Sequence, residues 1–327
     1  MAEVDFAVYG TGLLPTLLAG LLARDHGRRV VRVGRRRSSQ RLPRGLDLGL
    51  PLSVHPASWR LVRQGESEIA QLMRGIGAAP GLATAEVALV ADQPDSAAAL
   101  DHLAHVALGH GHQLRRVPKG WALRRITQLH AETLGDLLAD WLAAAGVATV
   151  ETGPVSATQT IVADDAALLE HVAEDRRPPD LVVEAMTATL LAAPRGLAAP
   201  ILLHPDRGVT LLRRPDNTVL ALARGAADVE ARIASALAGP FPVKRLASTR
   251  YRRLVTRDGA PLIGRIKGAR LFAIAGLGDA GAFLAPALAR FLAGTAVPDE
   301  KRWVAAHAPA RSRDAVADFA PFLAAAS

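Results

Sequence analysis

The chain has 327 residues, half of them hydrophobic, enough for one large core or two modest ones, so a disordered chain is excluded. Its 39 lysines and arginines exceed its 31 acids for a net charge of +8, nearly all of it arginine. That excess suits acidic partners such as nucleotide phosphates or small carboxylates, and it also follows from GC-rich coding. The absence of cysteine removes a disulfide framework, a thiolate metal site and a thiol nucleophile together, and fits a reducing compartment.

Residues 4–9 (VDFAVY) predict a short strand and Gly10-Thr11-Gly12 a tight turn. Residues 13–24 predict a helix without charge until its end, and residues 29–33 (RVVRV) a second strand after the helix stop Gly27. A helix that is apolar all round is a buried one. The apolar run 10–23 is too short for a bilayer core of ~30 Å, and Glu3 and Asp5 precede it where a leader wants positive charge. Residues 35–49 read as a basic, turn-rich loop, and helical patterns follow at 59–76 and 95–109. A helix at 134–145 stops at Gly146, and candidate strands lie at 147–151, 159–163 and 180–185 (DLVVEA). Residues 200–223 alternate in polarity between turn signals at 205–208 and 215–217, the pattern of an antiparallel meander. A helix at 229–237 follows. The tail returns to a strand at 271–275, a glycine turn and a helix at 284–292. The apolar stretch 271–294 carries Asp279 and Arg290 and reads as buried strand, loop and helix. The expectation is a cytoplasmic protein with no transmembrane segment.

The first glycine turn has the context of a nucleotide-binding turn. It follows a strand, opens a helix and leads to a second strand, so that backbone N–H groups at a helix N-terminus can bind a pyrophosphate. Gly10 and Gly12 fill the first two glycine places, with Thr11 and Leu13 beside them. Pro15 stands at the third, where a first-turn proline is tolerated. The acid that would hold a ribose is expected near residue 34, and the chain has Gly34 followed by Arg35-Arg36-Arg37. Those arginines could hold the 2′-phosphate of NADP, contact a dinucleotide's phosphates, or form a solvated loop.

Other constellations are weaker. His102, His105, His110 and His112 have only Asp101 nearby as an acidic partner and do not make a convincing metal site. Glu151, Asp164, Asp165 and Glu170 show no pairing suited to acid/base work. No Gly-x-Ser-x-Gly exists for a hydrolase elbow, and the basic run 35–44 has no interleaved aromatics, so nucleic acid is not an expected partner.

The C-terminal stretch is the most specific part of the chain. Residues 251–264 (YRRLVTRDGAPLIG) and 271–288 (LFAIAGLGDAGAFLAPAL) resemble the tail of the flavin-dependent D-amino acid oxidase and glycine oxidase family. In that family an arginine, a Thr-x-Asp-Gly-x-Pro-x-Ile-Gly turn, a strand, a glycine-rich loop and an Ala-Pro helix start follow in this order. The resemblance implies an α/β fold, with a Rossmann-like FAD-binding domain at 1–60, 125–195 and 250–327. A helical insertion and an antiparallel-sheet substrate domain take 61–124 and 196–249. It implies that Gly276, Leu277, Gly278, Asp279, Ala280 and Gly281 close over the flavin. Gly10, Thr11, Gly12, Leu13, Gly34, Arg35 and Arg36 would line the rest of the cofactor's path. Arg253 falls on the arginine that grips a substrate carboxylate, although Leu254 stands where the family has proline.

Thr256, Asp258, Gly259 and Pro261 read as turn architecture. Two further departures are expected to touch the cofactor. The strand at 181–185 runs into Met186 and Thr187 in place of a small-Gly step, and the loop after the second strand is Gln40-Arg41-Leu42-Pro43-Arg44-Gly45 in place of small residues. The implied activity is FAD-dependent oxidation of the C–N bond of a small amino acid or amine, by hydride transfer to flavin. Two alternatives stay open: a catalytically degenerate relative serving as a subunit or binding module with a second protein, and an NADPH-binding reductase using Arg35 and Arg36.

Overall fold

The structure is a computed structural model that describes residues 3–35, 42–53, 55–192, 197, 199–214, 216–237 and 244–311. In chain order it runs β1 (Val4–Tyr9), α1 (Leu13–Arg24), β2 (Val30–Val33), β3 (Asp47–Leu48), α2 (Pro56–Gly75), β4 (Leu82–Val90), α3 (Pro94–Gly109), β5 (Leu114–Val117), β6 (Gly120–Leu129) and α4 (Ala131–Ala144). It continues through β7 (Ala148–Val150), β8 (Ala157–Val162), α5 (Asp165–His171), β9 (Leu181–Ala192), β10 (Ile201–His204), β11 (Val209–Arg213) and β12 (Thr218–Arg224). The last elements are α6 (Val229–Ala236), β13 (Lys244–Thr256), β14 (Leu262–Arg265), β15 (Leu271–Ala275), α7 (Gly281–Ala293) and α8 (Pro298–Ala306).

Two sheets organise the molecule. The first is six-stranded in the order β14-β15-β8-β1-β2-β7, parallel except for β14. Its central strand β1 is an almost unbroken apolar run because both of its faces are covered. On one face lie α1, α2, α4 and α7, packed through Leu17, Leu18, Met73, Trp141 and Phe283. Ala7, Val31, Val162 and Leu254 build the core on the other face. The second sheet is nine-stranded and largely antiparallel, with β13, β9, β12, β11 and β10 running side by side. Its meander β10-β11-β12 falls where the alternating pattern placed it. The fold is α/β, a parallel Rossmann-like sheet with an antiparallel sheet beside it. Among the described residues no single helix is long and apolar enough to cross a membrane.

The run 180–185 was expected to lead into a step that approaches the cofactor. It opens β9, which lies between β13 and β12 in the second sheet, and Met186 at that step lines the cavity described below. The neighbour of β1 is β8, with Phe6 beside Gln159 and Tyr9 beside Val162. The segment that approaches the glycine turn is therefore Ala163-Asp164-Asp165. Both runs are short and apolar, so their sheet membership is a tertiary fact that local pattern does not carry.

The second half of the histidine-rich segment packs against the core. His110 stacks on the fully buried Trp59 and His112 meets the same ring edge-on, with centroids 5.6 and 5.3 Å apart. Among the described residues no group of three or more His, Asp or Glu side chains is placed to hold a metal. Burial pushes the His112 imidazole down to about 4, with Arg63 and His110 adding to the effect. An unfolded histidine titrates near 6.5, so between those values the unfolded chain binds the extra proton and stability falls as pH drops. His112→Leu is expected to recover about 2 kcal/mol of the stability that wild type loses between pH 7 and pH 5. Parallel denaturant melts at the two pH values check this; equal acid losses in both proteins would refute it.

Candidate functional site

The carboxyl ends of β1, β8 and β15 lie side by side, so the segments leaving them meet at one edge of the parallel sheet. In open α/β sheets this edge is where ligands bind. A cavity of about 940 Å³ opens there. Thr11, Gly12 and Leu13 line one part of it, and Gly276, Leu277, Gly278, Asp279 and Gly281 line another. Gly10, Gly34, Arg35 and Ala280 do not line it, and Arg36 lies outside the described residues.

Gly10 and Gly34 act behind the lining. A Cβ on Gly34 would stand 2.5 Å from the Gly10 carbonyl oxygen, and one on Gly10 would stand 2.6 Å from the Asp164 Cβ. The end of β2 is thus pressed onto the turn, which leaves no room for a side chain where a ribose-binding acid was expected. Arg35 is exposed on the surface, 3.6 Å from the equally exposed Glu151. Pro15 sits in the first turn of α1, which Gly12 caps, and Thr16 Oγ1 donates to the Gly12 carbonyl.

The turn has a partner that the sequence did not suggest. Thr11 donates to Asp164 Oδ2 through both its backbone N–H and its hydroxyl, each at 3.1 Å. The other oxygen, Oδ1, accepts from the Ala166 N–H at 2.9 Å and the Ala167 N–H, capping α5. The next residue, Asp165, accepts from the Leu254 N–H.

At the other end of the cavity, three strands of the second sheet supply a polar cluster. Tyr251 and Arg253, two residues apart on β13, share one face of the sheet, while Arg252 is exposed. The register sets Arg253 opposite Glu184, and Met186 between Tyr251 and Arg224. Arg253 donates to Glu184 at 2.9 Å, and Arg224 approaches the same carboxylate at 3.5 Å. Two guanidinium groups thus share one acid, so this trio carries one net positive charge, with the Asp279 carboxyl also acting on Arg253. The Tyr251 hydroxyl and the Nε atoms of Arg253 and Arg224 are buried without a hydrogen-bond partner among the described residues. Burial pushes the Tyr251 phenol up to about 12, so it stays a neutral donor. Arg44 lies 5.7 Å from the centre of its ring.

The C-terminal loop closes the site. Asp279 Oδ1 accepts from the Leu46 N–H at 3.1 Å, which ties this loop to the segment after β2. Burial raises the Asp279 carboxyl above the usual range, against the opposing pull of the Leu46 N–H and Arg253. The 256–261 segment is turn architecture, as its sequence indicated. Thr256 Oγ1 donates to the Ala260 carbonyl, and Asp258 accepts from the Ala260 N–H and from Arg311.

Glycine oxidase from Geobacillus kaustophilus superposes with a TM-score of 0.66 at 17% identity, covering 100% of each chain. The chain has the glycine oxidase fold. The same fold is seen in fructosamine oxidase from Aspergillus fumigatus, with a TM-score of 0.71, 12% identity, and 99% of this chain matched to 93% of that one. An L-amino acid deaminase from Proteus vulgaris gives a TM-score of 0.67 at 14% identity, with 95% and 94% coverage. No protein-family model and no curated protein matches the sequence. The glycine oxidase fold therefore emerges from shape, while the cofactor and substrate positions have to be judged from this chain's own residues.

Residues of the two glycine segments and Arg253, named from the sequence, line one cavity. Sequence reasoning missed Arg224, Glu184 and Tyr251 as a cluster, and Asp164 as the partner of the turn. The signals present were an acid inside an otherwise apolar strand (Glu184 in LVVEA) and an acid pair directly after one (Asp164-Asp165).

Proposed function

We propose that the chain is an FAD-dependent oxidoreductase that oxidises the C–N bond of a small amino acid or amine. The observation that carries this reading is the continuity of one cavity from the first glycine turn to the Arg253 cluster. A dinucleotide fits the ends of that path. A Cβ on Gly278 would meet nothing within 4 Å, so the C-terminal loop offers its backbone to a ring, and α1 presents its N-terminus to a diphosphate. Thr11, Gly12 and Leu13 would hold the diphosphate end, with Gly276, Gly278 and Gly281 over the ring. FAD, when bound, supplies the hydride acceptor.

The protein's own part is binding and orientation. A planar guanidinium suits a carboxylate, and Arg253 and Arg224 carry one net positive charge once Glu184 is counted. The neutral Tyr251 hydroxyl supplies a further donor, and Met186 and Leu222 give the cavity an apolar floor beside them. With the carboxylate fixed there, a neutral substrate amine needs no side-chain base at the reacting carbon. Arg35, one of the two arginines of the NADPH alternative, is exposed beside Glu151 and does not line the cavity.

The test is uptake of FAD by the purified protein, followed by anaerobic bleaching of the bound flavin with a panel of small amino acids and amines. Flavin absorbance that bleaches with one class supports the reading. Protein that takes up no FAD even at millimolar concentration overturns it, and a second polypeptide that co-purifies, with no activity in its absence, would favour the subunit alternative.

A further inference from the structure

We propose that Asp164 is a built-in competitor for the diphosphate of the cofactor. Its carboxylate occupies the glycine turn and has to give up its bonds to Thr11 before a dinucleotide can seat, which keeps FAD retention weak and reversible. This rests on the FAD reading above.

The geometry that carries it is local and specific. An anion site at a strand-turn-helix junction is made of backbone N–H groups at the helix N-terminus, reached closely only because glycine lacks a side chain. Here the Thr11 N–H and hydroxyl both donate to one oxygen of Asp164. The carboxylate is held rigidly from behind, because its other oxygen caps α5 through Ala166 and Ala167. The Asp164 Cβ is packed against the turn itself, where even a methyl on Gly10 would collide with it. Strand β8 fixes the position, since Tyr9 and Val162 pair directly before the two segments diverge. A diphosphate arriving at this turn meets a like charge that already holds a donor it needs. Pro15, in the first turn of α1, has no N–H with which to compensate.

The experiment titrates FAD, ADP and riboflavin separately into wild type, Asp164→Ser and Asp164→Asn, following flavin or tryptophan fluorescence for the flavins and calorimetry for ADP. Serine keeps an oxygen for capping α5 and removes the charge and reach. Asparagine keeps the shape and removes only the charge, so a misfolded serine variant does not end the test. Asp164→Ser is expected to bind FAD and ADP at least tenfold more tightly than wild type, with Asp164→Asn between them and riboflavin, which has no phosphate, unchanged. Equal or weaker FAD binding by both variants, with measurable binding by wild type, overturns the proposal and leaves the FAD reading standing. An equal gain for riboflavin also overturns it, since that reports a loosened cavity rather than a relieved charge. If none of the three proteins binds FAD or ADP, both the proposal and the FAD reading fall.

Discussion

Arg253→Leu is expected to lower kcat/KM for a carboxylate-bearing amine by 10²- to 10³-fold, a loss of about 3–4 kcal/mol in transition-state binding. The reason is the arrangement around Glu184. In wild type two guanidinium groups balance one carboxylate, and the surplus charge faces the cavity. Removing Arg253 leaves Glu184 matched by Arg224 alone, so the cluster becomes neutral and a second carboxylate has no partner. The same matching keeps the variant folded, because Glu184 retains Arg224 at 3.5 Å. Arg253→Lys retains the charge but loses the planar fork, and is expected to fall between wild type and leucine. Glu184→Gln is the converse change. It releases Arg253 from its internal partner and raises the positive charge of the cavity by one, so the KM of a carboxylate substrate should fall by about three- to tenfold. A substrate amine without a carboxylate is the control, since neither variant should alter its KM. If Arg253→Leu changes both substrate types equally, the arginine is positioning the sheet and not gripping a carboxylate.

Much of the fold could be read from the residues because its most informative segments are locally self-consistent. The first strand, turn and all-apolar helix, the meander, and the strand-loop-helix tail each carry their own periodicity and turn signals, and all stand where they were expected. The site was legible only in part, for the same reason in reverse. Strand β13 is a continuous 13-residue element, yet its sequence KRLASTRYRRLVT shows little apolar alternation because much of it is exposed at the edge of the second sheet. Its role is set by the strand beside it. Arg253 and Glu184 are 69 residues apart, and Thr11 and Asp164 are 153 apart. No window-based pattern spans those separations. The absence of an acid at Gly34 was visible as a departure, but its cause, the collision with the Gly10 carbonyl, appears only when β2 is laid beside β1. The two acids after β8 were visible too. They looked purposeless because the donors they accept from include backbone and hydroxyl groups far away in the chain.

Gly65→Ala is expected to destabilise the protein by at least about 3 kcal/mol and to disturb the C-terminal loop along with it. Gly65 lies in the middle of α2, where alanine is ordinarily the better helix former by about 1 kcal/mol. Propensity therefore predicts a stabilised variant, and packing has to overcome that gain. A Cβ at this position would stand 1.7 Å from the Phe283 carbonyl oxygen and 2.8 Å from its carbonyl carbon. Both atoms are backbone, in the first turn of α7, so no side chain can swing aside; one helix has to move away from the other. The contact lies in the main core, where Phe283, Val62, Ile69 and Met73 are buried together, and separating the helices opens space among them. Because Phe283 is two residues from Gly281, the displacement reaches the loop that carries Gly276, Gly278 and Asp279 over the cavity. Gly75→Ala, at the end of the same helix where a Cβ meets nothing within 4 Å, isolates the propensity effect and should be neutral or slightly stabilising. Denaturant melts of the two variants separate the contributions, and FAD titration of Gly65→Ala at a temperature where it stays folded reports the loop. A Gly65→Ala protein as stable as Gly75→Ala would mean that α2 and α7 are not in backbone contact, and the seat assigned to the C-terminal loop would be wrong.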